Sequence, residues 1–261
     1  MARDPQSEPN PDAPDLGASS REGYFELSRA PWHSLLFVLP IVVLFDLGSV
    51  RYLAEQDITV SAFRLIGRFY SALGAYGIHL PALALVAVLL TQHIMSNASW
   101  RVRWAVLPAM LIESAIWTAP LLVLALMLGP ESAVSLSQAQ PQPVSIHELP
   151  WQVRMTVALG AGLYEELLFR MMLIALVHLV ATDLLKLNSA LGATLALVVS
   201  ALAFAFYHDV WTDGSLDLTR VSFFALSGLF FGGVYLARGF GIVVGLHAMY
   251  DVLALLVIGR V

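Results

Sequence analysis

The sequence predicts an all-α polytopic membrane bundle of about seven or eight transmembrane helices. Three observations predict it. The 261 residues are 58% hydrophobic and 13% charged, where soluble domains run at about 25% charged, and the mean hydropathy is +0.75. The apolar residues fall in runs near the roughly 20 that a hydrocarbon core about 30 Å thick requires. Most of the charge lies between those runs. A soluble domain of this length has no interior large enough for so much apolar surface. The 14 Lys and Arg against 19 Asp and Glu give a net charge of −5, so no basic excess points to nucleic acid. The lack of cysteine removes disulfides, thiolate metal sites and a cysteine nucleophile together.

The elements follow in order. Residues 1–30 hold six acids, three arginines and four prolines. That composition cannot bury a core and predicts a disordered acidic tail. No apolar stretch follows Met1-Ala2-Arg3-Asp4-Pro5, so the start does not read as a secretory signal. Spans are expected near 34–50, 76–96, 103–128, 151–182, 189–208, 219–237 and 241–259. The fourth is overlong and is expected to break or leave the bilayer near Ala181. Residues 58–72 interleave Arg64 and Arg68 with Phe63, Leu65, Ile66 and Phe69; this predicts an amphipathic segment on the membrane surface, with an eighth, tilted span as the alternative. The loop 129–150 has no Lys or Arg. It fits the outer face, with the N-terminus inside. Trp32, Trp100, Trp151 and Trp211 sit near span ends, as an interfacial aromatic belt requires. The expected division is a tail (1–30), N-terminal helices and loops (31–149) and a core (150–261). The expected setting is the cell membrane, as a multi-pass protein with the lipid bilayer as its constant partner.

The last four spans carry Glu165, Glu166, Arg170, His208, His247 and Asp251. Facing lipid, their charges would cost on the order of 10 kcal/mol together, so they must face one another or a hydrated cavity. Glu166 and Arg170 are four apart, with the acid N-terminal to the base, the favourable order for a helical ion pair. Glu165 lies about 100° round the helix and has Phe169 at i+4. It is therefore expected to be the free carboxylate, and a carboxylate stripped of water and counter-charge is a stronger base. His247 and Asp251 also share a helical face. A base, two histidines and a further acid supply proton transfer and oxyanion stabilisation. The plainer alternative is that both glutamates lock helices together.

Glu165-Glu166-Leu-Leu-Phe-Arg170, Phe204-x-x-x-His208 and His247-x-x-x-Asp251, in this order and each inside an apolar span, resemble the CPBP (CAAX protease and bacteriocin-processing, or Abi) family of intramembrane proteases. The resemblance covers about 150–259 and includes the glycine-containing stretch Phe230-Phe231-Gly232-Gly233. It implies an endopeptidase acting on a membrane-anchored or lipidated protein or peptide, of which a prenylated CAAX C-terminus is one form. It implies that Glu165 activates the attacking water, that His208 positions that water and handles its proton, and that His247 and Asp251 steady the oxyanion. Glu166, Arg170 and Phe204 would hold the site in shape. The prenyl-protease branch usually has asparagine where this chain has Asp251. An ionised aspartate cannot donate to an oxyanion, so Asp251 is either protonated or orients His247 in its donor form. The second is the expectation here.

No cofactor is expected. Glutamate and histidine are zinc-ligand types, but the soluble His-Glu-x-x-His motif is absent, and zinc is the minor alternative. Asp46 and Glu113 are further acids in apolar spans, expected either to line a cavity or to pack with a polar partner. His33, His79, His93 and His178 are expected near the interface. Asp209, Asp213 and Asp217 read as a solvated loop. Two other function classes stay open: a non-enzymatic scaffold or immunity protein, and a small transporter using the buried acids as a proton relay.

Overall fold

In a computed structural model, residues 23–54, 60–77, 79–128 and 149–256 are described. The loop expected outside the membrane and most of the expected acidic tail lie outside them. Nine helices form the described part. They are α1 (Tyr24–Arg29), α2 (Pro31–Gly48, continued by a π turn Ser49–Leu53), α3 (Ser61–Ala72) and α4 (Leu80–Ser96). Then come α5 (Val106–Leu128), α6 (Trp151–Leu184), α7 (Ser189–Tyr207), α8 (Leu218–Arg238) and α9 (Phe240–Leu256). The chain is an all-α polytopic bundle. By length and composition α2, α5, α6, α7 and α8 can each cross a membrane, whereas α4 and α9 are shorter apolar helices. Large apolar side chains such as Leu44, Ile116, Leu126, Leu176 and Phe206 face outward round the perimeter. A soluble protein rarely exposes apolar surface on that scale; here it is the lipid-facing side of an integral membrane protein.

α9 sits at the centre, against α6, α5, α8 and α2. The reason is its composition: Phe240–Leu256 is apolar nearly all round, and such a helix has no face to offer water. Ile242, Val243, Val244 and Leu246 are fully buried. Small residues let its neighbours close in, as in membrane helix packing generally. A Cβ on Gly162 of α6 would meet the backbone nitrogen of Ala248 at 2.5 Å, and one on Gly228 of α8 would meet the Cα of Ala201 on α7 at 2.9 Å. Two apolar cores flank the central helix. One joins α2, α3, α4 and α6 around Phe45, Phe63 and Tyr164; the other joins α5, α7, α8 and α9 around Met110, Phe204, Phe223 and Phe231.

Several expectations shift in detail. α3 is the amphipathic segment: Ala62, Phe63 and Ile66 are buried while Arg68 and Phe69 face out. Its 12 residues span about 18 Å, too short for the alternative eighth crossing. The overlong α6 runs to Leu184 without leaving the helix, taking up π geometry at Leu167–Leu173 and Val180–Leu184. The segment Tyr24–Arg29, expected within the disordered tail, is helical. Tyr24 bonds Glu113 on α5 and Arg29 reaches the Leu236 carbonyl on α8, contacts that sequence spacing cannot show. Residues after His208 form a small hairpin, β1 (Trp211–Thr212) with β2 (Ser215–Leu216). Asp213 and Gly214 turn it with positive φ, as an Asp-Gly hairpin turn requires. Asp217 then caps α8, accepting from Thr219 and Arg220.

Candidate active site

Glu165 and Glu166 end the first α segment of α6, directly before the π turns of Leu167–Leu173. Inserted π turns recur at functional sites, and they loosen the helix's own ladder. Here Ser200 on α7 donates to the Phe169 carbonyl at 2.8 Å, a second donor beside the Ile174 N–H. Arg170, inside the π stretch, reaches back to Glu166, Nη1 to Oε1 at 3.1 Å, and donates through Nη2 to the Gly228 carbonyl at 3.3 Å. Its guanidinium lies over the Phe204 ring, 4.3 Å from the centroid. Both glutamates and the arginine are almost entirely buried.

The histidines come from two further helices. His208 caps the C-terminal end of α7, and its Nδ1 lies 2.8 Å from the Phe204 carbonyl. A carbonyl only accepts, so Nδ1 carries the hydrogen and Nε2 is turned toward Glu165, 3.7 Å from Oε2. His247 of α9 places Nδ1 2.7 Å from Glu166 Oε1 and Nε2 4.0 Å from Glu165 Oε2. Each imidazole is backed by a phenylalanine of α8. Phe224 stacks on His208 at 4.0 Å and 15°, and Phe231 stacks on His247 at 4.3 Å and 22°.

All seven residues expected at or around a site are therefore brought together, with one change of role. Asp251 was expected to orient His247. Its Oδ2 stands 3.5 Å from Nε2 and makes no hydrogen bond. The carboxylate that fixes His247 is Glu166. An i,i+4 argument sees only neighbours on one helix, and the orienting group comes from another. Glu165, as expected, is the less engaged acid: its Oε1 has no hydrogen-bond partner.

These groups surround a cavity of about 20 Å³, room for about one water molecule. Its polar lining is Glu165, His208, Ser227, His247, Tyr250 and Asp251; phenylalanines of α7 and α8 close the rest. Phe224, Ser227, Phe231 and Tyr250 had no role assigned from sequence. A signal existed for the first three, which lie at i, i+3 and i+7 on one face of α8. Among the described residues no three His, Asp or Glu side chains are grouped to hold a metal ion. The other acids lie elsewhere. Asp46 pairs with His79 at 2.8 Å where α2 and α4 meet, and Glu113 pairs with Arg238. His33 and His93 are buried within the bundle; His93 packs between Trp32 and Trp100.

Residues 147–253, the stretch that carries all three motifs, match the family model of the type II CAAX prenyl endopeptidase Rce1-like proteins. That match is consistent with a CPBP-family protease. No curated protein and no solved structure gives a significant match to the chain.

Proposed function

We propose that this chain is a CAAX-type intramembrane endopeptidase that hydrolyses a peptide bond of a membrane-associated substrate with a water activated by Glu165. One observation carries the reading. An unpaired carboxylate oxygen and two histidine nitrogens converge on a one-water cavity inside an apolar bundle. The Rce1-like family match supports the endopeptidase class and a prenylated or otherwise lipid-anchored substrate.

The chemistry follows from the atoms present. Glu165 takes a proton from the water as its oxygen attacks the scissile carbonyl carbon. His208, its Nδ1–H spent on the Phe204 carbonyl, takes that proton from Glu165 at Nε2 and delivers it to the leaving nitrogen. The C–N bond then breaks, giving a carboxylate and an amine. His247, held by Glu166 through Nδ1–H, presents Nε2–H to the oxygen that gains charge as an imidazolium. Arg170, seated on Phe204, holds Glu166 in place. Asp251 stands beside Nε2 and sets the local charge. In this reading residues 150–261 are the reacting core of a cell-membrane protein, and α2–α5 wall it. No cofactor takes part.

The test is peptide cleavage by purified protein in detergent or liposomes. Substrates are a mixed library of prenylated and unprenylated C-terminal peptides. Wild type is compared with Glu165→Gln, with and without a chelator. Cleavage lost in the variant and unchanged by chelation is the expected result. Undiminished product formation by Glu165→Gln would overturn it. Loss on chelation with recovery on zinc would replace the water-activating carboxylate with a metal site.

A further inference from the structure

Hydrolysis inside this cavity creates an oxyanion where water cannot solvate it, and the family-type residues supply few donors for it. Asp251 accepts only, when ionised. His247 Nε2 is one position and already faces two carboxylates. The cavity has two further polar groups, the hydroxyls of Ser227 and Tyr250. Both residues are buried, at 3% and 4% exposure, and neither hydroxyl has a hydrogen-bond partner.

That state is uncommon in proteins, because an unmatched buried polar group keeps its full desolvation penalty. It also differs from that of several other buried hydroxyls of this bundle. Thr118 donates to the Ser114 carbonyl, Ser114 to Ile242 and Ser200 to Phe169. Serine and threonine in apolar helices ordinarily bond back to a carbonyl in this way. Ser227, in the middle of α8, does not. It lies between Phe224, stacked on His208, and Phe231, stacked on His247. Tyr250 lies between His247 and Asp251 on α9, its ring against Phe223. Ser61 and Tyr164 also have unmatched hydroxyls, but neither lines the cavity, and Tyr164 packs on Phe45 and Phe63.

We infer that Tyr250, assisted by Ser227, is the neutral hydrogen-bond donor to the oxyanion of the tetrahedral intermediate. Hydroxyls suit the place: each carries its proton without bringing a charge into the bundle. They are fixed by aromatic packing before substrate arrives, as preorganised oxyanion donors must be. This inference rests on the hydrolytic reading above.

The experiment uses full-length protein and a peptide that wild type cleaves, with a phosphinate analogue of that peptide as a mimic of the tetrahedral intermediate. Tyr250→Phe is expected to lower kcat by about 10²-fold, the loss typical of one oxyanion donor. KM should be little changed, phosphinate affinity should fall by a similar factor, and thermal stability should not drop. Ser227→Ala should do the same more weakly. Wild-type kcat and phosphinate affinity in the Tyr250→Phe, Ser227→Ala double variant would overturn the inference while Glu165→Gln still abolishes turnover. A lower kcat with unchanged phosphinate affinity would also overturn it. Should Tyr250→Phe fail to fold, fluorotyrosine at position 250, a stronger donor of the same shape, must tighten the phosphinate; no tightening counts against the role. Absence of hydrolysis by wild type would remove this inference together with the reading it rests on.

Discussion

Glu113 and Glu165 are both glutamates set into apolar helices, yet their surroundings differ in kind. Around Glu113 every oxygen is used. Oε1 accepts from Arg238 Nε and from Trp117 at 3.1 Å; Oε2 accepts from Tyr24 and from Arg238 Nη2 at 2.9 Å. Arg238 also donates to Ser28. Burial, and then the Glu113 carboxylate, push the Tyr24 phenol up, which keeps it a donor. The result ties α1, α5 and α8 together. Around Glu165 the capacity is left open. Glu165 Oε1, Glu166 Oε2, Asp251 Oδ2 and the hydroxyls of Ser227 and Tyr250 all lack partners. A charge within the bundle whose bonds are complete belongs to the architecture. A buried charge with bonds to spare beside a cavity is arranged for something that arrives.

Substitutions can break this contrast or sharpen it. The largest expected effect is on turnover. Glu165→Gln should reduce peptide hydrolysis by about 10²–10⁴-fold, the range for a general base, with no loss of thermal stability, because it removes a charge that nothing matches. A large fall in the unfolding midpoint would place Glu165 in the same class as Glu113. Arg238→Met should do the reverse. Leaving the part-buried Glu113 without its cation, bonded only by Tyr24 and Trp117, is expected to cost about 1–3 kcal/mol, read as a lower midpoint in detergent, while the folded fraction keeps its turnover per molecule. Glu166 straddles the two classes, since it orients His247 and neutralises Arg170. Glu166→Gln should therefore lose both stability and about 10²-fold in turnover, as a displaced reacting group would. Ser200→Ala is the smallest test. It leaves the Phe169 carbonyl with only the Ile174 N–H and should cost about 1 kcal/mol, seen in the midpoint with turnover little changed.

Much of this was legible in the sequence, and for a physical reason. The bilayer admits few structures, so apolar runs alone located the bundle and the amphipathic α3. The ion pair of Glu166 with Arg170 was legible because i,i+4 geometry is local. What lay across helices was not. His247 is fixed by Glu166, 81 positions earlier, rather than by its own helix neighbour Asp251. Tyr24 reaches Glu113, 89 positions away, so a stretch that reads as tail becomes α1. The π turns after Glu166 have no compositional mark. Phe224 and Phe231 share a face of α8 with Ser227, but aromatic spacing on a helix says nothing about which imidazole it will meet.

The cavity beside Glu165 has a consequence for selectivity among nucleophiles. On the proposed reading, room for about one water favours the smallest nucleophile present. Hydrolysis is then expected to outrun acyl transfer to added methanol or hydroxylamine, which analysis of the cleavage products would show.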